Sequence, residues 1–279
     1  MQARVKAVSI GQLVIIIFMA GIMVCSFFPF LWMIMNSFRT TSELYMNPLD
    51  IPKTFDFSVF ARAWGKAHFD FAIRNTVFLT VITTSIIVSL SSFAAYPLAR
   101  MRFRGRGFLY MFIISGQIVS AQIILIPLFV LFRNMRLLGN LWSVILAASA
   151  GGIPFSTLLF VNAFKEIPRE IDDSTEIDGC SRPQYFFKIL IPLTMPIFAS
   201  VIIFQALGIW NEYLLSLTFL NRADSRTVTL ELKNFFGAYQ SDWPGAFAAL
   251  SMTVVPVLVL YLFLQKYFIK GLTAGAVKG

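Results

Sequence analysis

The chain is poor in the residues that most chemistry needs. Its 279 residues include 2 cysteines and 1 histidine, and only 13% are charged. Cys25 lies in an apolar stretch and Cys180 in a polar one, which gives neither a disulfide framework nor a metal-ligand spacing. His68 is the single imidazole, so no metal site is expected and no cofactor is expected on the chain itself. A phosphate loop of the G-x-x-x-x-G-K-[ST] type is missing, so any ATP hydrolysis belongs to another polypeptide. Convergent nucleophile and base residues at one depth are missing too, which argues against a membrane-embedded enzyme. Acids number 14 against 23 bases, for a net charge of +9. In a soluble protein that excess suggests nucleic acid. Here the cations sit at the ends of apolar runs without aromatic interleaving, so membrane lipid and topology explain them, and no nucleic-acid partner is expected.

What the chain has in abundance is apolar surface: 57% of its residues are hydrophobic, 30 of them Phe. A membrane span takes roughly 20 apolar residues at about 1.5 Å each. Candidate spans run about Ile10–Met35, Asn75–Pro97, Phe108–Phe132, Leu141–Val161, Ile197–Phe219 and Phe247–Tyr267. These six predict an all-α polytopic membrane protein, with residues 1–279 forming one transmembrane domain. The first run follows Arg4 and Lys6 as a signal peptide would. It is too long for the usual h-region and has no sensible cleavage site, so an uncleaved anchor helix is expected.

An even number of spans puts both termini on one side. Arg100, Arg102, Arg104 and Arg106, with Arg4, Lys6, Lys266, Lys270 and Lys278, then share a face, and short cationic loops favour the cytoplasm. Arg133 and Arg136 vote the other way and are outnumbered. The expected arrangement is N-in and C-in, with residues 40–72 outside and residues 164–196 inside. The arginine cluster reads as a topology signal and lipid-headgroup patch.

Within the spans, Gln117, Gln122, Gln205, Asn211 and Glu212 are candidates to line a hydrated path. The alternative is that such side chains bond neighbouring helices, because an unpaired amide in hydrocarbon is costly. Glu212 is the one acid placed inside a span, a functional candidate by default, with a wet or paired structural role as its rival. Trp210 and Tyr213 are expected to anchor at the membrane interface rather than stack on a ligand. The run Ala147–Gly152 with Pro154 allows close helix approach and a bend.

Residues 164–196 form the polar connector. Pro168 suits a helix start, and Glu170, Asp172 and Asp173 follow in the first turns, where acids meet the positive helix end. Arg169 and Asp173 have the spacing of a weak pair, whereas Asp172 and Glu176 repel unless a cation from outside sits between them. Gly179 can take positive φ and end this helix. Ser181 with Gln184 is a capping-box pattern that starts a second helix, which Pro192 is expected to stop. Two short helices around a sharp turn make a stiff knob. An ordinary amphipathic loop with its acids in water is the plainer reading, but a mere tether does not require six acids.

The run Glu170-Ile171-Asp172-Asp173-Ser174-Thr175-Glu176-Ile177-Asp178-Gly179, followed by Ile189-Leu190-Ile191-Pro192, resembles the "EAA" loop of permease subunits in bacterial ATP-binding-cassette (ABC) importers. Asp173-Ser174-Thr175 stands where that family usually has Glu-Ala-Ala, which keeps a charge and loses helix propensity. Ala94-Ala95-Tyr96-Pro97-Leu98-Ala99-Arg100, Trp210-Asn211-Glu212-Tyr213 and the tail Gly271–Gly279 resemble the carbohydrate-uptake branch, similar to the second maltose permease. The resemblance implies a type I ABC importer permease fold in the bacterial inner membrane. It implies a heterodimer with a related permease, two ATP-binding subunits that bind ATP and Mg, an extracytoplasmic solute-binding protein, and a sugar as solute. It assigns ATPase coupling to Glu170, Asp173, Asp178, Gly179 and Pro192, and a tail contact with the ATPase to Gly275 and Lys278. The rival reading, a transporter driven by an ion gradient, is disfavoured by the scarcity of intramembrane acids.

Overall fold

A computed structural model describes residues 10–237 and 241–276, with side chains for all of these except 10, 260, 264 and 266–276. The described residues are helical apart from turns, and an isolated bridge pairs Phe236 with Ser241. The helices are α1 (Ile10–Ser37), α2 (Thr41–Met46), α3 (Ser58–Lys66), α4 (Phe69–Arg100), α5 (Arg106–Ser115), α6 (Ala121–Asn134) and α7 (Leu141–Glu166). After them come α8 (Arg169–Ile177), α9 (Arg182–Tyr185), α10 (Ile191–Leu193), α11 (Met195–Trp210), α12 (Leu214–Phe219), α13 (Val228–Glu231) and α14 (Trp243–Ala276).

Among the described residues, 4 helices are long and apolar enough to cross a membrane: α1, α4, α7 and, over Trp243–Phe263, α14. The total reaches 6 when each of two bent pairs counts as one crossing. Arg106–Ile118 meets Ala121–Asn134 at 94°, and Arg182–Leu193 meets Met195–Trp210 at 78°. The expected straight span over Phe108–Phe132 is therefore broken in its middle. Val119 and Ser120 are extended there. A Cβ on Gly116 would lie 2.9 Å from Cγ of Pro154, so a glycine is what lets the chain turn this close to α7. The expected span over Ile197–Phe219 also divides. Its helix stops at Trp210 and a new one begins at Leu214.

The chain falls into two compact units, Met1–Ala67 with Leu232–Val254, and His68–Glu231 with Val255–Gly279. In the first, Arg39 is only 5% exposed. Its guanidinium donates to Oδ1 of Asn36 (2.9 Å) and to the carbonyls of Glu43 (2.7 Å), Asn47 (2.6 Å) and Pro48 (3.3 Å), tying the end of α1 to the loop after α2. Thr40 and Glu43 cap α2 reciprocally. Lys66 pairs with Asp242 at 2.8 Å and lies 5.0 Å over the ring of Phe235.

The second unit is built on α4, α7 and α11. They meet at Gly152, where a Cβ would lie 2.5 Å from Cδ1 of Ile87 and 2.8 Å from Oε1 of Gln205. Close approach of this kind is the use of the small-residue run that precedes Pro154. One buried cluster gathers Leu79, Ile87, Val144, Ile145, Ile209 and Phe219. A second gathers Ala95, Leu98, Phe160, Phe164, Tyr185, Phe186, Leu190 and Phe198, and so joins the ends of α4 and α7 to the connector. Trp210, expected as an interfacial anchor, is instead buried at 7% exposure. Its neighbour Tyr213 stays exposed.

Candidate functional site

The connector folds as its local signals dictate. Pro168 precedes α8, whose first turn carries Glu170 and Asp172 at the positive helix end. Gly179 has φ +72, a conformation that costs an L side chain energy, and nothing lies within 4 Å of where a Cβ would stand. The amides of Gly179 and Cys180 bond back to the carbonyls of Glu176 (3.1 Å) and Thr175 (3.0 Å), which closes α8. Ser181 and Gln184 then form a capping box at the start of α9.

Pro192 does not end the second helix. Residues Phe186–Leu190 widen into a π turn, and Pro192 sits in the first turn of α10, where a missing N–H is tolerated. The break falls at Thr194, whose hydroxyl donates to the carbonyl of Leu190 at 2.6 Å.

The expected pair of Arg169 with Asp173 is not the ion pair that forms. The paired acid is Asp172, and its cation comes from the last residue of α4. Arg100 donates to Oδ1 of Asp172 at 2.6 Å, with side-chain exposures of 5% and 27%. Its guanidinium also donates to the carbonyls of Phe164 (3.1 Å), Ile167 (2.8 Å) and Pro168 (3.3 Å), and to the hydroxyl of Tyr185 (3.3 Å). The cation that meets Asp172 thus belongs to the chain itself, and Arg100 is a tie within the chain rather than a headgroup contact. Breaking a fully buried pair costs about 3–5 kcal/mol, and this partly exposed one costs less. Tyr185 completes the group by donating its hydroxyl to Asp172. Burial, and then the bond to Asp172, push its pKa up to about 12, so the phenol keeps the proton it donates.

The opposite side of the connector faces outward. Glu170, Asp173, Asp178 and Ile177 are exposed, Ile177 at 86%, while Glu176, also exposed, lines the cavity that Arg100 and Asp172 line. Behind α8 lies a cavity of about 540 Å³ lined by Tyr96, Arg102, Thr175, Cys180 and Arg182 among others. An exposed isoleucine between Glu176 and Asp178 in the sequence, on a helix fixed at its base, suits a docking surface more than a catalytic one.

The candidate path residues stand at separate places in the second unit. Gln117 and Gln122 are exposed on either side of the 94° bend, and Gln122 accepts from the hydroxyl of Ser120. Gln205 donates to Oγ of Ser156 at 2.9 Å and to the carbonyl of Gly152 at 3.3 Å, tying α11 to α7. Asn211 is exposed and bonds the carbonyl of Leu207 at 2.9 Å. Glu212 lies in the break after α11 rather than inside a helical span, and its carboxylate accepts from the amide of Leu215 in the first turn of α12 at 2.7 Å. Gly275 falls in the backbone of α14, and Lys278 lies outside the described residues. Among the described residues, no group of three or more His, Cys, Asp and Glu is placed to hold a metal ion.

Sequence reasoning gave Arg100 only a topology and headgroup role and passed over Tyr185 and the apolar tip Ile177. It also passed over Glu231, which is 2% exposed and lies 3.5 Å from Arg226. A helix-terminal arginine following Tyr96-Pro97-Leu98-Ala99 is a visible signal for the first of these, although its partners lie 64 to 85 residues away.

The family described as binding-protein-dependent transport system inner membrane component matches residues 87–274. The diacetylchitobiose uptake system permease protein DasC of Streptomyces coelicolor is 32% identical over 256 residues, covering 90% of this chain and 92% of that protein. The arabinooligosaccharides transport system permease protein AraQ of Halalkalibacterium halodurans is also 32% identical over 256 residues, covering 90% and 91%. Among solved structures, a chain of a bacterial ABC transporter involved in the import of the acidic polysaccharide alginate aligns with a TM-score of 0.80 at 22% identity. That alignment covers 96% of this chain and 100% of the other, a likeness of fold. This multi-pass, all-α chain, which is not itself an ATPase, belongs to the family of binding-protein-dependent inner-membrane transport components.

Proposed function

We propose that this chain is one of two membrane subunits of an ATP-driven importer of a saccharide, and that the α8–α10 knob is where separate ATPase subunits grip it. The observation that carries the reading is the exposed Ile177 at the end of an acid-rich helix whose base is held by Arg100. An apolar anchor with a polar rim is the usual anatomy of a docking surface. Relatives named for diacetylchitobiose and arabinooligosaccharide uptake, each aligned over 90% of the chain, support a saccharide as solute.

In this reading the knob lies in the cytoplasm, with both chain termini on the same side. The assembly adds a related permease, two ATP-binding subunits that carry ATP and Mg, and an extracytoplasmic solute-binding protein. Closure of the ATPase pair brings two knobs together and tilts the spans, so that a central cavity opens outward. Reopening turns it inward. The two states must differ in affinity for the solute, or hydrolysis gives the movement no direction. Glu170, Asp173, Asp178, Gly179 and Pro192 carry the coupling. Gln117, Gln122 and Asn211, exposed in the single chain, are the stronger candidates for the path. Gln205 and Glu212 are already engaged in bonds that hold helices. Gly275 and Lys278 reach the ATPase from the tail.

Affinity purification of the tagged chain from native membranes tests this. It should bring down an ATP-binding protein and a solute-binding protein whose bound sugar mass spectrometry identifies. Gly179→Val, which strains a residue at φ +72, should leave the chain in the membrane and lose most of the ATPase. Retention of the ATPase with unchanged coupled uptake would refute the docking role.

A further inference from the structure

We propose that Arg100 is a positioning residue that makes α4 and the connector move as one body, so that work done on α8 reaches α4 directly. This rests on the docking role of α8 proposed above. The covalent chain alone offers a different route. Between α7, ending at Glu166, and α8, starting at Arg169, lie only Ile167 and Pro168, so a push on α8 passes first into α7. The end of α4 is a distant part of the sequence and has no such connection.

Two kinds of contact join α4 to the connector. The first is apolar: Phe93 and Tyr96 of α4 meet Phe186 at ring-centroid distances of 5.3 and 5.5 Å, and Tyr96 meets Tyr185 at 6.2 Å. Such contacts are non-directional and allow one surface to slide on another. The second is the Arg100 fork, which is directional. It takes the C-terminal carbonyl of Phe164 from α7, the Ile167 and Pro168 carbonyls of the link, Asp172 from α8 and Tyr185 from α9. Four helices thereby share one planar group whose own side chain is 5% exposed, at the edge of the cavity behind α8. A lysine has a single nitrogen and cannot reach this set of acceptors. The end carbonyls of α7 would otherwise lack partners, so the same fork that closes α7 fixes α8 to α4.

The test uses the complex purified with its ATPase subunits, in a Cys25→Ser, Cys180→Ser background. Spin labels are placed on Val81→Cys in α4 and Arg169→Cys at the start of α8, both exposed positions. Electron–electron distances are recorded without nucleotide and after trapping with Mg-ATP and vanadate. With Arg100 present the distance should be the same in the two states. With Arg100→Met or Arg100→Lys, trapping should shift it by about 5 Å, on the order of one helical turn. A purely stabilising arginine would change expression or melting, not the dependence of this distance on the nucleotide state. If Arg100→Met fails to accumulate, Asp172→Asn takes its place with the same two outcomes. An unchanged distance in the variant overturns the proposal. Absence of any ATPase from the unsubstituted complex overturns the docking reading instead, and this proposal with it.

Discussion

The bend between Arg106–Ile118 and Ala121–Asn134 turns the chain by 94°, and that between Arg182–Leu193 and Met195–Trp210 turns it by 78°, but their surroundings differ sharply. Around the first, α5 has no buried residue and α6 buries only Phe132. Phe108, Met111, Phe112, Ile118 and Ile123 all stay exposed. Around the second, Tyr185, Phe186, Leu190 and Phe198 lie in one core cluster, and the hydroxyl of Thr194 is satisfied by Leu190. One bend is a joint braced from within, beside the Arg100 fork. The other rests on α7 along one side, at Gly116 and Pro154, and leaves most of its apolar surface to what surrounds the chain, which in the proposed assembly is lipid and the related permease. In the proposed assembly, internal packing is thus concentrated where the ATPase would push, while the exposed bend carries two of the polar path candidates.

Substitutions at matched positions can break this contrast. Leu190→Ala, at a site with no exposure, should cost about 2–5 kcal/mol and lower the melting temperature in detergent. Phe108→Ala, at 74% exposure, should stay within about 0.5 kcal/mol in the same assay despite deleting a larger side chain. Equal losses would mean that the two bends are braced alike. A smaller effect sharpens the point on polar residues. Gln205→Leu leaves Ser156 without its partner and should cost about 1–3 kcal/mol. Gln122→Leu should leave melting unchanged and instead slow uptake of the co-purified sugar, measured in proteoliposomes. A stability loss at Gln122 with normal uptake would move it from the path to the scaffold.

What the sequence made legible was local. Pro168, Gly179 and the Ser181–Gln184 box each act within four residues, and the two-helix connector could be drawn from them before any coordinates. The bends were hidden because hydropathy sums apolar content and is blind to direction. Gly116 matters only through its distance to Pro154, a residue on another helix. The partner of Asp172 was hidden for the same reason, since Arg100 stands in a cationic cluster whose average meaning is topology. Trp210 shows the limit in reverse: an aromatic residue near a span end has the pattern of an interfacial anchor, and its neighbours bury it instead. Glu212 was drawn inside a span because the break after Trp210 leaves no mark on composition. The bond from the amide of Leu215 to its carboxylate marks it as the lead-in to a new helix.

The docking face itself is most directly tested by a photo-crosslinking residue, p-benzoylphenylalanine, in place of Ile177, illuminated in inner-membrane vesicles that contain the whole complex. One dominant adduct between this chain and an ATP-binding subunit is expected, lost when Gly179→Val is added. An adduct with the solute-binding protein, or with lipid alone, would place Ile177 away from the motor and contradict the docking role.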